Sequence, residues 1–327
     1  MNQSEPQAPT VFDLQQLPWL RAVWKDLRSR MNLDKLPHGM LLQGPLGCGK
    51  SVLAEHLVRT LLCAQGSDGG CGNCHDCRMV KANSTKDLLR VSPEPGRHDI
   101  SVRQIRDLRE NLSLSRQSAG HRAIIITPAG RMNRNAANAV LKSLEEPNPG
   151  NLFILLATGR ARLPSTVLSR LQLTVILPPA SADGRAWLMK QCPKATKQDC
   201  ERSLLAADGA PLRALEMLNC DAMSHFETTI SDLKSILKGS GQALEIAERW
   251  QKMDLENVFE WVRIWLSQYI KNIAQDIDKK RFLARLLLEL YDEAQRCSAL
   301  ASTPVNAQSI AERWLLQAAA AATQRCR

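Results

Sequence analysis

Short apolar runs alternate along the first half of the chain with stretches in which apolar residues return every three or four positions. Gly39-Met40-Leu41-Leu42-Gln43 and Leu152-Phe153-Ile154-Leu155-Leu156-Ala157 predict buried strands. Ala123-Ile124-Ile125-Ile126 and Leu173-Thr174-Val175-Ile176-Leu177 predict two more strands. Between them, residues 51–63 place Val52, Leu53, Leu57, Leu61 and Leu62 at helical spacing. Residues 100–112 do the same with Val102, Ile105, Leu108 and Leu112. Residues 135–146 predict a helix that buries Ala136, Ala139, Val140 and Leu144 and stops at Pro147 and Pro149. Leu163 to Ser169 is a short element ending at Arg170. Strands alternating with helices predict an α/β fold with a parallel sheet.

Pro178-Pro179 marks a boundary, and beyond it the pattern is helical. Residues 180 to about 220 form a small helical unit, with Gly209-Ala210-Pro211 opening the helix that carries Arg213. Residues 255–277 read as one long helix bearing Val258, Phe259, Trp261, Val262, Ile264, Trp265, Leu266, Tyr269, Ile270 and Ile273. That apolar coverage exceeds one face, so the helix is either central to its domain or packed on a neighbouring subunit. Small side chains, Ala318 to Ala322, extend the last helix.

The first predicted strand runs into Gly44-Pro45-Leu46-Gly47-Cys48-Gly49-Lys50-Ser51, and a predicted helix follows. Strand, glycine loop and helix together make a phosphate-binding motif. Its glycines let backbone N–H groups converge on phosphate oxygens at a helix N-terminus. Lys50 would reach the terminal phosphates and Ser51 would ligate magnesium. A loop that keeps this shape without binding nucleotide is the bland alternative. Hydrolysis needs acids at the end of a second strand. Here Ile126 is followed by Thr127-Pro128-Ala129-Gly130, and neither Glu110 nor Glu145 sits at that strand's end. Weak or absent hydrolysis by this chain alone is therefore expected.

Four of the ten cysteines, Cys63, Cys71, Cys74 and Cys77, follow the spacing C-x7-C-x2-C-x2-C. Each C-x2-C step lets two thiolates grip one metal, and four soft ligands suit tetrahedral Zn²⁺. Gly69, Gly70 and Gly72 supply turns, and an iron–sulfur cluster is the rival occupant. His75 is a spare donor beside a complete shell, so the site is structural, with no position open to water. Cys48 reads as a small filler in the phosphate loop, and Cys192, Cys200, Cys220, Cys297 and Cys326 read as buried thiols.

At 327 residues and 44% hydrophobic, the chain has room for two or three domains with real cores. It contains no apolar run long enough to span a membrane, and Met1 to Leu17 lacks a signal-peptide core, so a cytoplasmic protein is expected. The net charge of +10 favours an anionic partner such as nucleic acid, although a merely basic surface gives the same figure. Arg97, Arg103, Arg106, Arg109, Arg116, Arg122, Arg131 and Arg134 gather in one stretch with little aromatic interleaving, which suits backbone contact with a duplex better than base stacking.

In combination these residues resemble the bacterial DNA polymerase III clamp-loader subunits of the AAA+ family. The likeness runs from Pro18 to about Leu218 and more weakly beyond. It is carried by Asn138-Ala139-Val140-Leu141-Lys142-Ser143-Leu144-Glu145-Glu146-Pro147, by Ile100-Ser101-Val102-Arg103-Gln104-Ile105-Arg106 and by the cysteine knuckle behind the first helix. The missing acids after Ile126 match the delta-prime type of subunit. The resemblance implies an AAA+ P-loop domain over residues 1–178 with a zinc insert at about 63–77. A helical lid over 179–220 and an all-α collar over 221–327 would follow.

It further implies a non-hydrolysing stator that lends an arginine to a neighbouring motor subunit's ATP site. The family carries that arginine in a Ser-Arg-Cys motif, and here the match is Ser169-Arg170-Leu171. Thr158 and Arg213 fall at or near the family's two nucleotide-sensor positions. Zn²⁺, ATP with Mg²⁺, motor and delta-type subunits of a hetero-pentamer, the sliding clamp and primed DNA are the implied cofactors and partners. Two other classes stay open: an ATP-hydrolysing motor subunit in its own right, and a zinc-dependent DNA-binding module with a vestigial nucleotide fold.

Overall fold

A computed structural model describes residues 12–113, 120–158, 163–220, 222–273, 277–301 and 306–325. The chain divides into two compact units, Met1–Pro178 and Pro179–Arg327.

The first unit holds a five-stranded sheet of β1 (Gly39–Gln43), β2 (Leu88–Val91), β3 (Arg122–Ile126), β4 (Asn151–Ala157) and β5 (Gln172–Val175). The strand order is β2-β3-β4-β1-β5 and every pairing is parallel. Parallel neighbours need crossover connections. These carry α2 (Lys50–Leu62), α3 (His75–Lys81), α4 (Val102–Ser113), α5 (Arg134–Glu145) and α6 (Ser165–Leu168), while α1 (Arg21–Asn32) precedes the sheet. Strands β3 and β4 are buried at every position, which is why they read as unbroken apolar runs. Ile105 and Leu108 of α4 and Val140 and Leu144 of α5 share one core with Ile124, Ile126, Phe153 and Leu155. Each side chain of that size contributes about 1.5–3 kcal/mol when fully buried.

Local chemistry sets the helix starts. Asn133 caps α5 by accepting from the Ala136 N–H at 2.8 Å. At the head of α4, the Gln104 N–H donates to Ser101 Oγ at 3.3 Å and the Ser101 N–H donates to Gln104 Oε1 at 2.9 Å. Such caps satisfy N–H groups that have no partner within the helix.

Three details differ from the sequence pattern. The edge strand β2 was not evident, because only Leu88 and Val91 are buried and Arg90 turns outward. Within α5 it is Ala137 that is fully buried, with Ala139 partly so. Strand β5 ends at Val175, and as the opposite edge it leaves Leu173 and Val175 half exposed.

The second unit is helical. It comprises α7 (Ser181–Gln191), α8 (Lys197–Ala206), α9 (Pro211–Asn219), α10 (Ala222–Leu237), α11 (Ala243–Trp250), α12 (Leu255–Ile273), α13 (Ile277–Ala301) and α14 (Ala307–Arg325). The long helix expected over 255–277 is α12 over Leu255–Ile273, and residues 274–276 lie outside the described residues. Helix α12 packs against α8, α10 and α13. Its Phe259 meets Trp250 and Trp314, with ring centroids 5.9–6.1 Å apart, and both tryptophans are fully buried.

Candidate functional site

The phosphate loop leaves the carboxyl end of β1 and enters α2 at Lys50. Gly49 caps that helix at φ +89°, a left-handed conformation that a side chain would strain, and Gly47 has φ +80°. A Cβ at Gly49 would also come within 2.9 Å of Leu20. Gly44 is required for a different reason: a Cβ there would sit 2.1 Å from the Ile176 carbonyl oxygen. A segment that the motif did not reveal covers the loop. Leu17 and Leu20 pack beside Gly49, and the Trp19 indole N–H donates to the Cys48 carbonyl at 3.0 Å. Cys48 is wholly buried, as a filler would be.

Lys50 is only 7% exposed, and its ammonium donates to the carbonyls of Gly44 at 2.8 Å and Pro45 at 2.6 Å. Ser51 is exposed and opens onto a cavity of about 670 Å³ that Asp13, Glu55, Arg59, Cys77 and Arg90 also line. A tight glycine loop, a helix N-terminus and a lysine fit a polyphosphate. The magnesium side fits less well. Strand β3 ends in Ile126, and Thr127, Pro128 and Ala129 follow, none of them acidic. Glu55 shares the cavity with Ser51, but Arg90 holds both of its oxygens, at 2.9 and 3.0 Å.

Thr158 lies exposed just past β4, whose Ala157 pairs with Gln43 at the base of the phosphate loop. Arg213 belongs to α9 of the second unit. It is buried, ion-paired with Glu260 and hydrogen-bonded to Asn257 at 3.2 Å.

Arg170 stands just beyond α6 and is about one-third exposed. Its guanidinium donates to the Thr166 carbonyl at 2.8 Å, to Ser169 Oγ at 3.1 Å and to Glu145 Oε1 at 2.7 Å. Arg170 and Glu145 line an open groove of about 650 Å³ with Pro37, His38 and Gln172.

The sulfurs of Cys63, Cys71, Cys74 and Cys77 lie within 4.8 Å of one another. Backbone N–H groups of Cys71, Cys74 and Cys77 donate in turn to the sulfurs of Cys63, Cys71 and Cys74 at 3.3–3.4 Å. Burial opposes ionisation of Cys63, but N–H groups at Cys71, Ser67 and Gln65 outweigh it and hold the thiol at about 6. The Cys77 N–H lowers Cys74, while burial and the surrounding thiols push Cys77 up to about 12. Four converging sulfurs with donors on three of them suit a soft tetrahedral cation. His75 opens α3 and is not among the converging donors.

The cluster is joined to α2. His56, buried in that helix, meets Asp68 at 2.6 Å, edges onto Trp24 at 4.5 Å and packs behind Gly69.

The remaining arginines and cysteines differ in burial. Arg103, Arg106 and Arg109 lie exposed along α4, and Arg97 and Arg134 are exposed too. Arg131 is half-buried. Arg122 cannot belong to a nucleic-acid surface, because it is 1% exposed. It pairs with Asp87 at 3.5 Å and donates to the Asn111 and Leu112 carbonyls, holding the end of α4 to β3. Cys200 and Cys297 are buried as expected, but Cys192 is only half-buried and Cys220 is exposed just past the end of α9. Arg116 and Cys326 lie outside the described residues. Among the described residues, no helix is long and apolar enough to cross a membrane.

The family model described as "DNA polymerase III, delta subunit" matches residues 19–180, a span containing the phosphate loop, the cysteine cluster and Arg170. DNA polymerase III subunit delta' of Pseudomonas aeruginosa is 33% identical over 76% of this chain and 75% of its own. The Haemophilus influenzae subunit delta' is 30% identical over 82% of this chain and 81% of its own. Among solved structures, a DNA polymerase III gamma subunit-related protein of Thermotoga maritima is 17% identical with a TM-score of 0.41, covering 94% of this chain and 99% of that one. Sequence identity at the level of the two delta' subunits, sustained over most of both chains, means that this chain belongs to the DNA polymerase III subunit delta' family.

Proposed function

We propose that this chain is a non-hydrolysing stator of the DNA polymerase III clamp loader, which lends Arg170 to the ATP site of an adjacent motor subunit. The observation that carries the reading is a mismatch. A phosphate loop with Lys50 and Ser51 in place stands beside a strand that ends in Thr127-Pro128, without the acids for magnesium and water. Meanwhile Arg170 offers a partly exposed guanidinium at a helix end in the same unit.

In this reading the loop keeps a phosphate cradle that can hold ATP without turning it over. Thr158 would border the nucleotide. An arginine from a neighbouring subunit neutralises charge that develops on the γ-phosphoryl group, an effect worth orders of magnitude in rate in related systems. Cys63, Cys71, Cys74 and Cys77 would hold a structural Zn²⁺ that braces the loop after α2. The helices after Pro179 would form a lid and then a collar that joins a hetero-pentamer with motor and delta-type subunits. The complex would load the sliding clamp on primed DNA, with Arg103, Arg106 and Arg109 on the charged surface.

The reading is tested by ATP turnover of a reconstituted loader carrying Arg170→Ala. A large loss with the complex intact supports it, and an unchanged rate removes it. The competing reading is a motor ATPase in its own right, favoured by the intact Lys50 and Ser51. Steady turnover by the purified chain, abolished by Lys50→Ala, would establish that one instead.

A further inference from the structure

We propose that Glu145 is the positioning residue for Arg170, fixing its guanidinium before a neighbouring subunit's nucleotide arrives. The inference rests on the reading of Arg170 as a finger that acts in trans. Glu145 is the last residue of α5, and Arg170 follows α6 by two positions. The two helices pack together, and Val167 of α6 is buried in the main core. The end of α5 is itself held: His38 Nε2 lies 3.1 Å from the Leu144 carbonyl. Glu145 therefore presents its carboxylate from a fixed place.

Arginine carries a large rotamer entropy, and a free side chain would lose it on meeting a phosphate. Here three bonds remove that freedom beforehand. Nη1 spends its two N–H groups on the Thr166 carbonyl and Ser169 Oγ. Nη2 spends one on Glu145 Oε1, at 2.7 Å. Among the described residues this leaves one Nη2 hydrogen and the Nε hydrogen available. A phosphoryl oxygen can therefore bind without displacing Glu145, and the groove lined by both residues gives it access. The carboxylate acts only through Arg170, so its effect must vanish when Arg170 is removed.

The test uses a loader reconstituted with the full chain, assayed for clamp- and DNA-stimulated ATP turnover. It compares wild type, Glu145→Ala, Glu145→Gln, Arg170→Ala and the Glu145→Ala/Arg170→Ala pair. Because the pair is partly exposed, Glu145→Ala is expected to lower kcat by about two- to fivefold with KM for ATP unchanged. Glu145→Gln, which keeps an acceptor oxygen but no charge, should fall between. The double variant should be no slower than Arg170→Ala.

A Glu145→Ala deficit that persists in the Arg170→Ala background would make Glu145 merely structural and overturn the proposal. So would an unchanged or faster rate in Glu145→Ala while Arg170→Ala is slow, and then the finger reading survives alone. An intact complex that Arg170→Ala does not slow removes the finger reading itself, and this inference with it. Should Glu145→Ala fail to assemble, Glu145→Gln carries the same comparison.

Discussion

Asp68 Oδ1 lies 2.6 Å from His56 Nε2, while Oδ2 accepts from the Trp24 indole N–H at 3.3 Å. One carboxylate thus fastens the loop between Cys63 and Cys71 to both α1 and α2, the helix that follows the phosphate loop. Burial alone would raise the Asp68 carboxyl. The bonds from His56 and Trp24 outweigh it and hold the group below its ordinary value of 3.8. A depressed native value adds stability that is complete above the unfolded value and is lost as pH falls through the native one. Asp68→Asn is expected to cost under about 1 kcal/mol at neutral pH, because the carboxylate is largely exposed. The gap from wild type should close as pH drops below 3.8, which denaturant titrations at several pH values would read out.

The four converging sulfurs lead to a stoichiometric expectation. Elemental analysis of the purified chain should find one zinc per molecule. Chelation, or Cys74→Ala, should lower the melting temperature, because metal binding to a site absent from the unfolded chain adds directly to folding. A visible absorption band together with iron would assign the site to an iron–sulfur cluster instead.

Arg213 and Glu260 form an asymmetric pair, with the arginine side chain 7% exposed and the glutamate 33%. Removing Glu260 takes the directly bonded carboxylate from a buried cation and leaves it with the Asn257 amide and the field of Asp208 and Glu216, whereas removing Arg213 leaves a carboxylate that water can reach. Glu260→Ala is therefore expected to cost about 3 kcal/mol and Arg213→Ala distinctly less. Equal costs in urea unfolding would contradict this account of the pair.

At Gly49 a methyl group meets two obstacles, the left-handed backbone and the Leu17-Leu20 cover. Gly49→Ala is expected to destabilise the chain by about 1–3 kcal/mol and to abolish any ATP binding measured by calorimetry. Lys50→Ala should abolish binding too, and it should also cost stability, because the Gly44 and Pro45 carbonyls lose the ammonium that donates to them. Unchanged stability in Gly49→Ala would mean that neither the backbone nor the cover bears on this position.

What the sequence made legible was whatever is local or continuous. Strands β3 and β4 announce themselves because both faces are buried, and the cysteine cluster because three of its four ligands fall within seven residues. The phosphate loop is eight consecutive residues. Strand β2 was hidden because Arg90 interrupts its short apolar run, and its role appears only with Glu55, its partner on α2. Arg122 read as a surface charge because its counter-ion, Asp87, belongs to a different part of the chain. Arg213 depends in the same way on Glu260, and Gly49 on Leu20. Pairings that tertiary structure creates leave no periodicity to read.

The most direct test of the central claim is ATP turnover by a reconstituted loader, stimulated by clamp and primed DNA, with wild-type chain and with Arg170→Ala. A drop of tenfold or more, on the order of the effects that such arginines have elsewhere, with the complex intact by gel filtration, is the expected result. An unchanged rate from an intact complex would contradict the claim that this chain completes its neighbour's ATP site.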